Sequence, residues 1–217
     1  MKRGAFVTAC LLLAIGFAAL GVWQLERRAW KLDLIARIEA RVHAAAQPLP
    51  RAWRGDLTYR RVRATGVYLQ GRDTRVQAVT ALGAGWWVMT PLRTGAQIVL
   101  VNRGFVPADF GATPPPAGTV TVIGLLRASE PGGGFLRANN SAADRWYSRD
   151  TAAIARARRI GFVPPWFIDA EATPAAGYPV GGLTVIAFRN AHLTYALTWF
   201  ALAGMSAAGA VLASRRR

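Results

Sequence analysis

Cysteine is almost missing from this chain. Cys10 is the single thiol, and it falls inside the first long apolar run. The central part can therefore form no disulfide and no cysteine-based metal or redox site. Thiol exchange and Cys-ligated copper chemistry are excluded with it. Histidine is nearly as scarce, limited to His43 and His192. Methionine stands at Met1, Met89 and Met205, too far apart in the chain to make a Met-rich copper motif. Gly-x-Ser-x-Gly, a phosphate-cradling loop and His-Glu-x-x-His are all absent, so the chain reads as a non-enzyme. Acidic residues are few, 11 against 27 basic ones, for a formal net charge of +16. The excess is nearly all arginine and is scattered along the chain. A scattered charge argues against nucleic acid and for a solvated basic surface, anionic lipid or an acidic partner.

What the chain has is apolar sequence at both ends. Gly4 to Trp23 and Leu193 to Ala213 carry no charge. A hydrocarbon layer of ~30 Å needs roughly 20 helical residues, so both runs are candidate transmembrane helices. Met-Lys-Arg before an apolar run also begins signal peptides, but this run is long and ends without an Ala-x-Ala site, so an intact anchor is expected. Lys2 and Arg3 precede the first run, and Arg215, Arg216 and Arg217 follow the second. By the positive-inside rule both termini are cytoplasmic and the segment between lies outside. The expected organisation is a first span with a short cytoplasmic N-terminus (1–23), an amphipathic stalk and linker (24–50), a β-rich domain (51–189), a second span (190–213) and a basic cytoplasmic tail (214–217).

Leu32, Ile35, Ile38 and Val42 keep helical spacing beyond the first run, until Pro48 and Pro50 stop it. Strand patterns follow at Thr58–Leu69 (interrupted by Gly66), Thr74–Val79, Trp86–Leu92, Gln97–Arg103, Thr119–Leu126, Trp166–Asp169 and Leu183–Phe188. Arg93 to Ala96 joins two of them as a hairpin. Asp150 to Arg159 is the one short helix, with Asp150 as N-cap. The fold class is membrane α plus β: two transmembrane helices flanking a mainly antiparallel β domain, either a sheet or a small barrel.

His192 follows the last strand pattern after Arg189-Asn190-Ala191, with Asn190 a candidate N-cap. On a helix His192, Tyr195 or Ala196, and Trp199 fall on one face. That face suits a haem, which is held by an axial His with neighbouring side chains tuning access. It equally suits an interfacial aromatic belt with no ligand. Small residues at Ala203, Gly204, Ala207 and Ala208, with Ala14 and Ala18 on the first run, predict that the two helices pack together or that the second packs on a partner. His43, on the polar side of the stalk, reads as solvated. The polar runs from Val101 to Pro107, from Asn139 to Ser141 and from Arg145 to Asp150 suit either a propionate or a partner protein, or hydrogen-bonded corners of a sheet.

Five blocks carry a resemblance. They are Gly21 to Lys31 (Gly-Val-Trp-Gln-Leu-Glu-Arg-Arg-Ala-Trp-Lys), Tyr59-Arg60-Arg61-Val62, Leu100 to Pro107 (Leu-Val-Asn-Arg-Gly-Phe-Val-Pro), Asn139-Asn140 through Asp150, and Phe188 to Phe200. In this order they resemble the surfeit-locus-one family of cytochrome c oxidase assembly factors. The resemblance implies a non-enzymatic factor that transiently binds haem a and aids its insertion into oxidase subunit one. It places the axial iron ligand at His192, and the helical spacing adds Tyr195 and Trp199 on the same face as cofactor contacts. The implied partners are oxidase subunit one, with haem a synthase a second candidate, and membrane lipid, with no nucleic acid. The alternative it leaves is a haem-independent, membrane-anchored chaperone or scaffold for oxidase subunits. No arginine- and serine-rich transit peptide follows Met1, so a multi-pass bacterial inner (plasma) membrane protein with a periplasmic domain is expected. Two departures stand out: Ala191 where the family often has a second Asn, and Ser141 where it usually has Pro.

Overall fold

A computed structural model describes residues 2–95, 97–134, 136–171, 177–184, 188 and 190–215. The chain divides into two units: Ala40–Val185, and Met1–Glu39 with Ile186–Arg217.

The first of these units is built on β1 (Gln47–Pro48), β2 (Arg61–Tyr68), β3 (Thr74–Thr80), β4 (Gly83–Thr94), β5 (Gln97–Pro107), β6 (Thr119–Ala128) and β7 (Trp166–Ala170). The hydrogen-bonded order is β1-β2-β6-β7-β5-β4-β3, and β2 also pairs with β4. That extra pairing closes β2, β6, β7, β5 and β4 into a five-stranded barrel, with β1 and β3 appended. Pairing is antiparallel except between β5 and β7 and between β1 and β2. Of the two expected forms, the β domain takes the small barrel.

Gly66, an interruption in sequence, is what lets the barrel close. There β2 leaves its long pairing with β6 and meets β4 through Val67 and Tyr68. A Cβ at position 66 would lie 2.1 Å from the Arg93 carbonyl oxygen, so only glycine permits that approach.

Two cores explain the continuous apolar runs of β5 and β7. Val99 and Val101 point into one cluster with Val62, Leu92, Leu126, Trp166 and Ile168. Leu100 and Phe167, one residue out of phase, join a second with Val76, Met89, Trp146 and Ile154. Alternate residues face opposite sides of a strand, so a strand buried on both faces shows no polar alternation. Ile154 comes from α2 (Thr151–Arg158), which lies on the second core. Its start is fixed by Asp150, whose carboxylate accepts from Ala153 N–H at 3.0 Å. Deleting Phe167 or Trp166 to alanine would cost about 3–5 kcal/mol by lost burial and residual cavity.

The expected strand Leu183–Phe188 falls partly outside the described residues, and positions 183, 184 and 188 are not in a strand. The two-residue β1 gave too little pattern to be anticipated.

The helical unit holds most of α1 (Lys2–His43) and α3 (His192–Arg215). Both are long and apolar enough to cross a membrane. At 1.5 Å per residue, the 42 residues of α1 extend about 63 Å, twice the hydrocarbon thickness. Half of α1 must therefore project from any bilayer it crosses. The two helices pack along stripes of 3.5-residue period, the spacing of a coiled-coil seam. On α1 the less exposed positions run Val7, Cys10, Ala14, Phe17, Gly21 and Gln24; on α3 they run His192, Ala196, Trp199, Ala203, Ser206 and Ala210. Phe17 stacks on Trp199 with centroids 5.6 Å apart. Gly21 leaves room for Phe200, whose ring would lie 2.6 Å from a Cβ there. The expected helix packing is present, but Gly204, Ala207 and Ala208 are exposed. A four-residue repeat drifts off a seam whose period is 3.5.

Candidate functional site

Helix α3 begins at His192, and Tyr195 N–H donates to the Ala191 carbonyl at 3.2 Å. Ala191, rather than Asn190, thus occupies the N-cap position. The Asn190 side-chain oxygen is buried and has no hydrogen-bond partner among the described residues.

His192 is half-buried, and its Nδ1 lies 2.7 Å from Oε1 of Gln24 on α1. An amide oxygen can only accept, so Nδ1 carries the proton and donates. The ring lone pair is then on Nε2, for which no partner is assigned among the described residues. A histidine ligand held through its second nitrogen has a fixed tautomer and ring orientation, the arrangement found around protein-bound metals. Gln24 was not anticipated as a site residue. Its signal was available: the first polar side chain after the apolar run, on the stripe that Gly21 and Phe17 share.

Of the other anticipated residues, Trp199 shares the seam with His192, two turns along, and is engaged by Phe17. Tyr195 stands on the exposed flank, and Ala196 takes the buried place between His192 and Trp199. Among the described residues no group of three or more His, Cys, Asp or Glu is placed to hold a metal ion. A lone imidazole suits a metal that arrives with its remaining donors already in place, as iron does in a macrocycle.

The polar blocks of the barrel unit form hydrogen-bonded corners. Asn139 Oδ1 accepts from the N–H groups of Tyr147 (2.8 Å) and Ser148 (3.1 Å), tying a loop to itself. Trp146, fully buried, donates its indole N–H to Asp144 at 2.7 Å. Asp169 on β7, 4% exposed, accepts from Asn102 (2.8 Å), Thr184 (3.1 Å), Arg127 (3.2 Å) and Arg149 (3.3 Å). Glu130 accepts two bonds from the Arg149 guanidinium, at 2.5 and 3.0 Å, and one from the Arg149 backbone N–H at 3.3 Å. Burial pushes the Glu130 carboxyl up, but the Arg149 hydrogen bonds and charge outweigh it and hold the group below its ordinary range. Arg149 is lowered by burial and raised more by Glu130 and Asp169, for a net rise. These groups bond chiefly to one another.

The SURF1 family model matches residues 11–204. Surfeit locus protein 1 of Homo sapiens is 35% identical over 228 residues, covering 93% of this chain and 74% of that protein. A SURF1-like protein of Monosiga brevicollis is 33% identical over 240 residues, covering 99% of this chain and 90% of its own length. Surfeit locus protein 1 of Mus musculus is 33% identical over 217 residues, covering 88% and 70%. The matched region contains Gln24, Asn102, Arg103, Asp169 and His192.

Proposed function

The chain belongs to the SURF1 family of cytochrome oxidase assembly factors, and from that premise we propose that it transiently binds haem a and aids its insertion into oxidase subunit one. The observation that carries this reading is the His192–Gln24 pair, which holds an imidazole by Nδ1 and leaves Nε2 as the metal donor. His192 would supply the axial ligand, Gln24 would fix the ring, and Tyr195 and Trp199 would flank the macrocycle. The bound group would supply the redox-active iron that the oxidase requires; the protein's part is to hold and orient it. Two apolar helices make this a membrane protein. We place it in a bacterial inner membrane, with both termini cytoplasmic and the barrel periplasmic, where oxidase subunit one and haem a synthase are candidate partners.

The test is the absorption spectrum of protein purified from cells that make haem a. Wild type carries a haem spectrum, and His192→Ala loses it. Unchanged haem content in His192→Ala sinks the ligand assignment.

A second reading, a haem-independent scaffold for oxidase subunits, has its own support. Large apolar side chains of the barrel unit stand in the open, with Leu136 89% and Phe162 84% exposed, as on surfaces that meet other proteins. Crosslinking separates the readings: a scaffold associates with subunit one in cells unable to make haem a, and a haem carrier associates only when haem a is present.

A further inference from the structure

One cation of the barrel unit departs from the pattern around Asp169. Arg103 lies on β5, between the buried Asn102 and Gly104. Its Nη2 donates to the carbonyls of Thr113 (2.9 Å) and Pro114 (3.4 Å). Its Nη1 is buried and has no acceptor among the described residues. The nearby carboxylates are committed elsewhere: Glu171 to Arg61 at 2.5 and 2.9 Å, and Asp73 to the Thr90 hydroxyl. Asp73 acts on Arg103 only as a charge at range. A buried charged donor left open costs free energy, and native structures keep such groups where something pairs with them.

Arg103 lines a cavity of about 380 Å³ with Tyr68, Val122, Ile123, Tyr178 and the arginine-paired Glu171. Its place in the fold is informative. Tyr68 ends β2, Arg103 lies near the end of β5, and β6 begins just before Val122. All three stand at one mouth of the barrel, and barrel mouths are a recurrent place for small ligands. The guanidinium also lies 5.8 Å from the centre of the Tyr68 ring. Burial pushes the Tyr68 phenol up to about 12, so it remains a protonated donor. The recognition elements are thus one cation with an unpaired Nη1, one neutral phenol and a largely apolar wall.

We propose that this barrel mouth is a binding site for a small carboxylate with an apolar body. A monoanion balances the single free guanidinium. A phosphate dianion would leave one charge uncompensated against apolar walls and beside Glu171. A neutral ligand would leave Nη1 as it is now. The proposal does not rest on the haem reading, because every group it uses lies in the barrel unit.

The probe is 3-(4-fluorophenyl)propionate, with 3-(4-fluorophenyl)propanol as its uncharged counterpart. Binding to the full chain in lipid nanodiscs is read by fluorine NMR, with empty nanodiscs subtracted. The acid should bind saturably and at least about tenfold tighter than the alcohol, as a charge-assisted pair requires. Arg103→Gln should weaken the acid about tenfold and leave the alcohol unchanged, with Arg103→Lys between them. Thr121→Trp, which narrows the mouth while leaving the Arg103 contacts to Thr113 and Pro114 in place, should weaken both probes. That variant carries the test if Arg103→Gln fails to fold. Absence of saturable acid binding, equal affinity for acid and alcohol, or undiminished binding in Arg103→Gln or Thr121→Trp would overturn the site.

Discussion

Asp169 in the barrel unit accepts from four side chains, whereas His192 at the head of α3 is held through one of its two ring nitrogens. His192 belongs to a block that stands out in the sequence, whereas Asp169 closes the short strand pattern Trp166–Asp169. The difference separates architecture from binding. Around Asp169 the charged groups bond to one another, so the cluster fixes the positions of β5, β6 and β7. At His192 the one hydrogen bond from Nδ1 fixes the ring, and no partner is assigned to Nε2 among the described residues.

The sharpest way to break this comparison is Asp169→Ala. Removing it leaves the half-buried Arg127 and Arg149 guanidinia with Glu130 as their remaining carboxylate among the described residues. Loss of one partner from a buried ionic cluster costs about 3–5 kcal/mol. His192→Ala should change stability by less than about 1 kcal/mol, because it removes one hydrogen bond on a half-buried helix face. Denaturant midpoints of both variants, in the full chain, measure the contrast. A stability loss for His192→Ala equal to that for Asp169→Ala would show that the histidine is architectural too.

Much of this was readable from residues alone. The two apolar runs gave the helices, because bilayer thickness fixes their length. β-branched runs between glycine and proline breaks gave most strands, and Asp150 gave the start of α2. What was hidden depends on long-range geometry. Barrel closure rests on Val67 and Tyr68 meeting Arg93 and Leu92, a pairing that no local pattern encodes. Asp169 looked like one acidic residue among 11, because its partners are distributed from Asn102 to Thr184. Gln24 and His192 lie 168 positions apart, so neither announces the other. The pairing became visible only once two seams of 3.5-residue period were laid side by side.

Gln24 gives the next test, smaller in size. Gln24→Leu keeps the apolar seam but removes the acceptor that holds Nδ1. Loss of an orienting partner behind a metal-bound histidine costs about 10–100-fold in affinity. Haem content at limiting haem a should fall by that factor while the denaturant midpoint stays near that of wild type. Gln24→Glu should retain haem and shift its reduction potential downward, because a carboxylate makes the ring more electron-rich. A helix-packing role alone would predict the reverse: lost stability in Gln24→Leu and no change of potential in Gln24→Glu.

The smallest effect concerns acid sensitivity, which belongs to the barrel side of the comparison. Glu130 is pushed up by burial and pulled down further by Arg149, and Glu171 is held down chiefly by its hydrogen bond from Arg61. A carboxyl that binds its proton less readily when folded stabilises the fold above its unfolded value and loses that stabilisation as pH falls through the folded value. The unfolded reference for both is 4.5, so the contribution is complete near neutrality and is lost on acidification below that point. Glu171 is the more exposed, and solvent screening shrinks its share. Denaturant midpoints taken from about pH 7 to about pH 3 should therefore fall less steeply in Glu130→Gln than in wild type, with Glu171→Gln between the two. Identical slopes in wild type and Glu130→Gln would mean that the Glu130–Arg149 pair sets geometry without contributing to acid stability.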